Sequence, residues 1–449
     1  LSEELLDLAR QVIRLALDKG AQDAECTLAE GSQFSTTIRM REVETLEEAG
    51  SRSAGVRVLF DKRVGSSYTS DLTPEGIQRM VRSAVDLAQL TSEDPFAGLP
   101  DPAELGSIDT NLDLYSDDVD AVSAAERIEF AKRAEAAAFD TDPRIANSEG
   151  ASFGASQGAR YFANSRGFSG WYRGSSCSVS VVPVAKEGDT MERDYWYSAS
   201  RRFAGLESPE HVGRMAAQRA VRRLNARKVP TQKVPIVYEP RTARALLGEI
   251  FGAIAGDSIY RKASFLQDKL GETVASPQFT VIDDPTIPGL FGSQPFDDEG
   301  VPSRRTTVIE NGVLQSYLLN CYTARKLGLK TTGSASRGIT GNASVGHGNF
   351  YLQAGSQTPE QIIAEVKTGF YVTELIGSGV NTVTGDYSLG AAGVWIENGE
   401  LAFPVSEVTI AGNLKQMLRD VDAIGSDLEF RSSMAAPTLR IREMTVSGQ

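Results

Sequence analysis

Histidine is nearly missing from this chain. Only His211 and His347 occur among 449 residues. A zinc or iron peptidase site takes about three protein ligands, mostly imidazoles, and keeps one position open for water. Two imidazoles cannot supply that set by themselves. His211 follows Ser208-Pro209-Glu210, a helix start with Ser208 as N-cap and Pro209 at the first helical position, so it is expected on a helix surface. His347 lies in the glycine-rich run Val345-Gly346-His347-Gly348-Asn349. Two histidines so placed serve one catalytic dyad at most, which disfavours a Ser-His-Asp hydrolase.

Cysteine is equally sparse. Cys26, Cys177 and Cys321 are far apart and odd in number, which excludes a disulfide framework and a Cys-x-x-Cys metal spacing. Three reduced, buried thiols in a cytoplasmic protein are expected. No apolar run approaches the length of a membrane span, so no membrane partner is expected. Residues 1–20 are acidic from the start with helical periodicity, unlike a signal peptide. A basic excess is absent too: 46 Lys and Arg face 59 Asp and Glu, a net charge of −13. A phosphate-binding surface needs clustered cations, so nucleic acid is not an expected partner. The basic run from Arg214 to Lys228 is expected to be the solvated face of a helix.

What is present is an α+β pattern in two parts. In residues 2–19, Leu5, Leu8, Val12, Leu15 and Ala16 mark an amphipathic helix ended by Gly20. Thr36, Ile38 and Met40, then Val56, Val58 and Phe60, alternate as antiparallel strands do. Thr73-Pro74-Glu75 opens a second helix, residues 91–120 form a surface crossing, and Ser123-Ala124-Ala125-Glu126 is a capping box. Strands dominate residues 145–203. Val229-Pro230-Thr231-Gln232-Lys233-Val234-Pro235 breaks the composition, which places a boundary between domains 1–228 and 229–449. The first domain is expected to pack helices on antiparallel sheet, the second to be mostly antiparallel β with a few helices. Ile309-Glu310-Asn311-Gly312 and Ile396-Glu397-Asn398-Gly399 are two matching hairpin turns, consistent with a duplication or with shared turn chemistry.

Four stretches carry candidate chemistry. Asp283-Asp284-Pro285 and Phe296-Asp297-Asp298-Glu299-Gly300 gather five carboxylates, of the kind hard cations take, but turn chemistry explains them better. The glycine-rich run 332–346 lacks the ending of a phosphate loop; a flexible cover over a cleft is one reading, a plain surface loop the preferred one. The run 377–393, dense in Gly, Ser and Thr, suits a site where a peptide adds as a strand.

The stretch around which the rest is organised is the apolar helix Leu246-Leu247-Gly248-Glu249-Ile250-Phe251-Gly252-Ala253-Ile254, followed by Ala255-Gly256-Asp257-Ser258-Ile259-Tyr260-Arg261-Lys262. With Ser264-Phe265-Leu266, Asp297-Asp298-Glu299-Gly300, Thr384-Gly385-Asp386-Tyr387-Ser388 and Ala411-Gly412-Asn413-Leu414, it resembles the TldD/PmbA metallopeptidase family. The TldD branch carries His-Glu-x-x-x-His on this helix. Here Gly248 and Ala253 stand at the two histidine positions and Glu249 keeps the glutamate, a pattern that resembles the PmbA (TldE) branch. The resemblance also implies a cysteine near the C-terminus that completes the metal site in the TldD branch; it has no counterpart around Phe430 to Met434, and Cys321 lies too far upstream. Positions five apart stand roughly 140° apart on an ideal helix, so the helix must distort or end there.

The resemblance implies a subunit with no metal of its own, zinc or iron being expected only in a TldD-type partner. It implies a cytoplasmic heterodimer that degrades unfolded or extended peptides in an enclosed cavity, this chain gripping substrate. Family members also carry the label modulator of DNA gyrase, and some family complexes trim leader peptides or degrade labile antitoxins. Arg261, Lys262, Thr384, Gly385, Asp386 and Ser388 are the candidate substrate or cavity residues. Glu249 is otherwise a solvated or paired helix residue. Two alternatives stand beside this reading: a peptide- or protein-binding homodimer, and an independent hydrolase using Glu249 with the carboxylates at 297–299.

Overall fold

The computed structural model describes residues 2–448. Helix α1 (Ser2–Asp18) leads into three antiparallel strands, β1 (Asp23–Arg39), β2 (Glu42–Phe60) and β3 (Arg63–Thr69). Helix α2 (Pro74–Leu90), a short α3 (Asp118–Ala121) and α4 (Ala124–Thr141) follow. The Thr73 side chain caps α2 and the Ser123–Glu126 box caps α4, as the sequence indicates. Strands β4 (Ile145–Asn164), β5 (Ser169–Glu187), β6 (Thr190–Arg193) and β7 (Trp196–Ser200) complete a seven-stranded sheet, and α5 (Pro209–Val221) closes this part.

Period-two burial explains the layering. Ala24, Cys26 and Leu28 of β1 bury against α1 and α2, while Phe34 and Ile38, on the same face, bury against α4 and α5. The other face of the sheet turns toward the second half of the chain. Two expectations change here. Met40 was expected in a strand but occupies the β1–β2 turn with φ of 51°, next to Arg41 at 70°. The Glu135 carboxylate accepts both turn amides, at 3.0 and 2.7 Å, and so holds a turn that lacks Asn-Gly. The crossing over 91–120 is only partly on the surface, because Leu99, Leu112 and Leu114 are buried.

The second half begins with β8 (Gln232–Tyr238), α6 (Pro240–Ile254) and α7 (Gly256–Tyr260). Short strands β9 (Val281–Asp283), β10 (Thr306–Glu310) and β11 (Val313–Leu314) come next, then α8 (Cys321–Leu327), β12 (Ala335–Ser336), β13 (Ser344–Val345) and β14 (Phe350–Leu352). After α9 (Pro359–Ala364) run β15 (Thr368–Ile376), β16 (Asp386–Glu397), β17 (Glu400–Asn413) and α10 (Leu414–Arg419). Strands β18 (Val421–Ile424), β19 (Met434–Ala435) and β20 (Leu439–Ser447) end the chain. The main sheet runs β17-β16-β15-β8-β20-β18, and β17 also pairs with β20, so its path returns on itself. Pairing is antiparallel except between β8 and β15 and between β14 and β19. Asn311 and Asn398, with φ of 48° and 51°, make the two expected Asn-Gly hairpins. All three cysteines are free and buried. Among the described residues no helix is long and apolar enough to cross a membrane.

The run 332–346 is not a plain surface loop. It straps the second half to the first sheet, with Ser334, Ala335 and Arg337 buried. Arg57 reaches Asn342, and Arg160 reaches the carbonyls of Arg337 and Gly338. A Cβ on Gly55 would stand 1.7 Å from the Ile339 carbonyl oxygen, so only glycine allows that approach.

Candidate functional site

Helix α6 buries Leu246, Leu247, Ile250, Ala253 and Ile254 in the core of the second half. The i, i+3, i+4, i+7 row Ala245, Gly248, Glu249 and Gly252 is left on its open side. A Cβ at Gly252 would meet nothing within 4 Å, and one at Gly248 would meet Met434 Sδ at 3.9 Å. The helix ends at Ile254, one residue past Ala253, and Ala255 is extended (φ −64°, ψ 132°) before α7 resumes. Ala253 itself is fully buried and its carbonyl accepts the Ser264 hydroxyl at 2.5 Å.

The donor set does not fit a metal. Gly248 and Ala253 carry no ligating atom, Met434 offers a weak thioether, and a hard or borderline divalent ion needs more. Among the described residues no group of three or more His, Cys, Asp or Glu could hold an ion. Glu249 differs from the solvated or paired residue expected of it. It is half-buried, its carboxylate has no hydrogen bond or ion pair among the described residues, and burial pushes its pKa up. Beneath it lies Tyr387 of β16, whose hydroxyl burial and the Glu249 charge push up to about 12.

His347 stands beside this helix, its ring 4.8 Å from that of Phe251. Its Nδ1 donates to the Gly348 carbonyl at 2.8 Å, and burial lowers its pKa, so it is a neutral packing residue. His211 is on the surface of α5, as expected.

The carboxylates at 297–299 are committed elsewhere. Asp297 accepts the amides of Glu299, Val301 and Ala335, and Glu299 accepts that of Cys321. Asp298 pairs with Arg160 at 2.9 Å and accepts the Arg337 amide. They build a turn between the two halves, in line with their turn chemistry. Asp283 is more isolated. It is buried, accepts the Gly348 amide at 2.8 Å, and is pushed up to about 7 mainly by burial. A folded-state pKa above the unfolded value means that folding holds the proton, so this group's contribution falls as pH rises from about 4 to about 7. Asp283→Asn is therefore expected to be the more stable form at pH 8, by on the order of 2 kcal/mol, with the gap vanishing near pH 4. Urea midpoints at the two pH values check this.

The candidate substrate residues form two neighbouring groups. Arg261 and Lys262 are exposed at the end of α7. The 381–386 loop meets the chain just beyond them, where the Phe265 amide donates to the Thr382 carbonyl at 2.8 Å. Within that loop Thr384 donates to Asp386 at 2.6 Å, and Asn413 donates to Asp386 and to the Thr384 carbonyl. Gly385 has a φ of 88° and lies against Asn413, so the group locks the turn onto the cap of α10. Ser388 is exposed on β16. Strand addition at β16 is ruled out, because β15 and β17 already occupy both of its edges.

Sequence reasoning missed the cleft between the first sheet and the second half of the chain. Arg244, one turn before Gly248, donates to the Tyr197 hydroxyl and to Ser432, both at 3.2 Å. Nearby, Ser35, Ser156, Ser176 and Ser178 of the first sheet face Phe291, Arg431 and Ser432 across a cleft of about 550 Å³. Its lining comes from distant segments, and only the alternating serines of β4 and β5 hint at a polar sheet face.

Gly248 and Ala253, the positions where the resemblance puts metal ligands, carry no donor atom in a fold of helices packed on mostly antiparallel sheets. Models of the PmbA/TldA metallopeptidase match at residues 24–88 (domain 1), 117–224 (central domain) and 231–448 (C-terminal domain). The chain is 42% identical to metalloprotease PmbA of Escherichia coli O157:H7, over 97% of this chain and 94% of that one. It is 36% identical to a PmbA homolog of Haemophilus influenzae, over 99% and 96%. A proposed modulator of DNA gyrase from Bacteroides thetaiotaomicron superposes with a TM-score of 0.92 at 29% identity, covering 99% of this chain and 98% of that chain. TldE from Thermococcus kodakarensis shares the fold, with a TM-score of 0.87 at 23% identity and coverage of 98% and 100%. The chain belongs to the PmbA/TldD family of metallopeptidases.

Proposed function

We propose that this chain is the non-catalytic, PmbA/TldE-type subunit of a cytoplasmic metallopeptidase complex. A TldD-type subunit supplies the metal, and this chain shapes the cavity and holds unfolded or extended peptide. The observation that carries the proposal lies on α6, where Gly248 on the open face and Ala253 in the core offer no ligand, and Glu249 has no side-chain partner among the described residues. With no side chains at 248 and 253 that could hold a metal to polarise a water, Glu249 has little to activate as a general base. The small residues of that face allow a peptide backbone close approach.

The test is metal content of the purified, untagged chain by mass spectrometry, paired with cleavage of an unfolded protein. Zinc and iron well below one per chain are expected, with cleavage only after a TldD-type subunit is added. One tightly held transition metal per chain, with cleavage by the lone chain, would overturn the proposal. Glu249→Ala is expected to leave the complex active.

A further inference from the structure

Between α5, the first turns of α6 and residues 427–436 lies a second, more enclosed pocket of about 300 Å³. Tyr195, Tyr197 and Tyr371 give it an aromatic wall. Five arginines and three carboxylates line it, in a chain whose net charge is −13. Three of the arginines are matched by acids. Arg219 and Arg241 share Asp194 and Glu239, and Arg431 pairs with Glu207 and Glu429.

The other two are matched less closely or not by an acid. Arg222 comes no closer than 3.6 Å to Glu239, and its Nε and Nη2 are buried without an acceptor. Among the described residues Arg244 bonds to two hydroxyls and to no carboxylate. A buried guanidinium donor left unpaired is costly, and its planar fork matches a carboxylate. Glu239 and Asp427 in the same lining would repel a dianion, which favours a monoanionic carboxylate over a phosphate.

We propose that this pocket binds the C-terminal residue of a peptide, its carboxylate on Arg222 and Arg244 and its apolar or aromatic side chain on the tyrosine wall. The inference rests on the peptide-holding role proposed above and names the end of the peptide that is held. Met434 ties the pocket to that role. It lines the pocket and also stands 3.9 Å from the Cβ position of Gly248. A peptide leaving the pocket past Met434 therefore enters the open face of α6, running toward its own N-terminus. The volume suits about one large residue, at the small end of ligand sites.

The test titrates the full chain calorimetrically with acetyl-Ala-Ala-Phe as the free acid and as the C-terminal amide. The acid is expected to bind at least about tenfold more tightly, as charge-assisted bonds predict. Arg244→Met and Arg222→Gln should each remove most of that preference and leave amide binding unchanged. 3-Phenylpropionate should bind clearly more weakly than the tripeptide acid. Equal binding of acid and amide overturns the inference, and so does phenylpropionate binding as tightly, which assigns the pocket to a small aromatic acid. Cleavage by the complex with a TldD-type subunit is measured in parallel. Active complex with no acid preference sinks the pocket and leaves the subunit role standing. Acid preference without cleavage does the reverse.

Discussion

Arg337→Met is expected to destabilise the chain by about 3–5 kcal/mol at neutral pH, the usual loss when one partner of a buried ion pair is removed. Arg337 and Glu25 are almost fully buried and in direct contact, with Arg57 2.8 Å from the same carboxylate. Arg337 also donates to the Asp298 carbonyl, so it joins the first sheet to the turn at 297–299. Methionine keeps most of the volume and removes the charge, which leaves Glu25 with Arg57 alone. Burial by itself would raise the pKa of Glu25, but the charges of Arg337 and Arg57 outweigh it and the value is lowered. A lowered folded-state value contributes stability above the unfolded pKa of about 4, which is lost as pH falls through the folded value. The deficit of Arg337→Met should thus be largest at neutral pH and shrink on acidification. Chemical denaturation at pH 7.5 and pH 4 reads both features. Adding Glu25→Gln should recover part of the loss, because no buried charge is then stranded. A single variant as stable as the parent would mean that the two halves are held by the aromatic contacts around Phe296 instead.

Local chemistry made much of the fold legible. The Asn-Gly turns, the Thr73 and Ser123 caps and the period-two strands needed only neighbours in sequence to declare themselves. The turn at Met40-Arg41 did not, because its acceptor, Glu135, comes from another element. The strap at 332–346 read as a loop for a similar reason. Its glycines allow close approach, but the surface approached is Gly55, far away in the chain. The candidate site divided along the same line. Gly248 and Ala253 could be named from one helix, whereas Arg222, Arg244, Tyr371 and Met434 converge only through the tertiary fold.

Arg219→Met carries the second large effect, again about 3–5 kcal/mol at neutral pH. Arg219 holds Glu239 through two bonds, at 2.7 and 3.1 Å, and lies 3.3 Å from Asp194. All three side chains are buried, and Glu239 is the residue from which α6 starts. The arginine on α5 therefore fixes the position of the helix bearing Gly248 and Glu249. Burial would raise Asp194, yet Arg219 and Arg241 together lower it, so this stabilisation too is present above about pH 4 and lost below. Thermal and urea unfolding should show the variant closing on the parent as pH falls toward 4. Arg219→Lys should lie between them, since an ammonium is a point charge and cannot hold two carboxylates with a planar fork. The change also reaches the pocket. Without Arg219, Glu239 keeps Arg241 at 3.3 Å and can close on Arg222, 3.6 Å away, where it would compete with a peptide carboxylate. The acid-over-amide preference should then fall in Arg219→Met even under conditions where the variant remains folded, whereas a purely structural arginine would leave the preference intact.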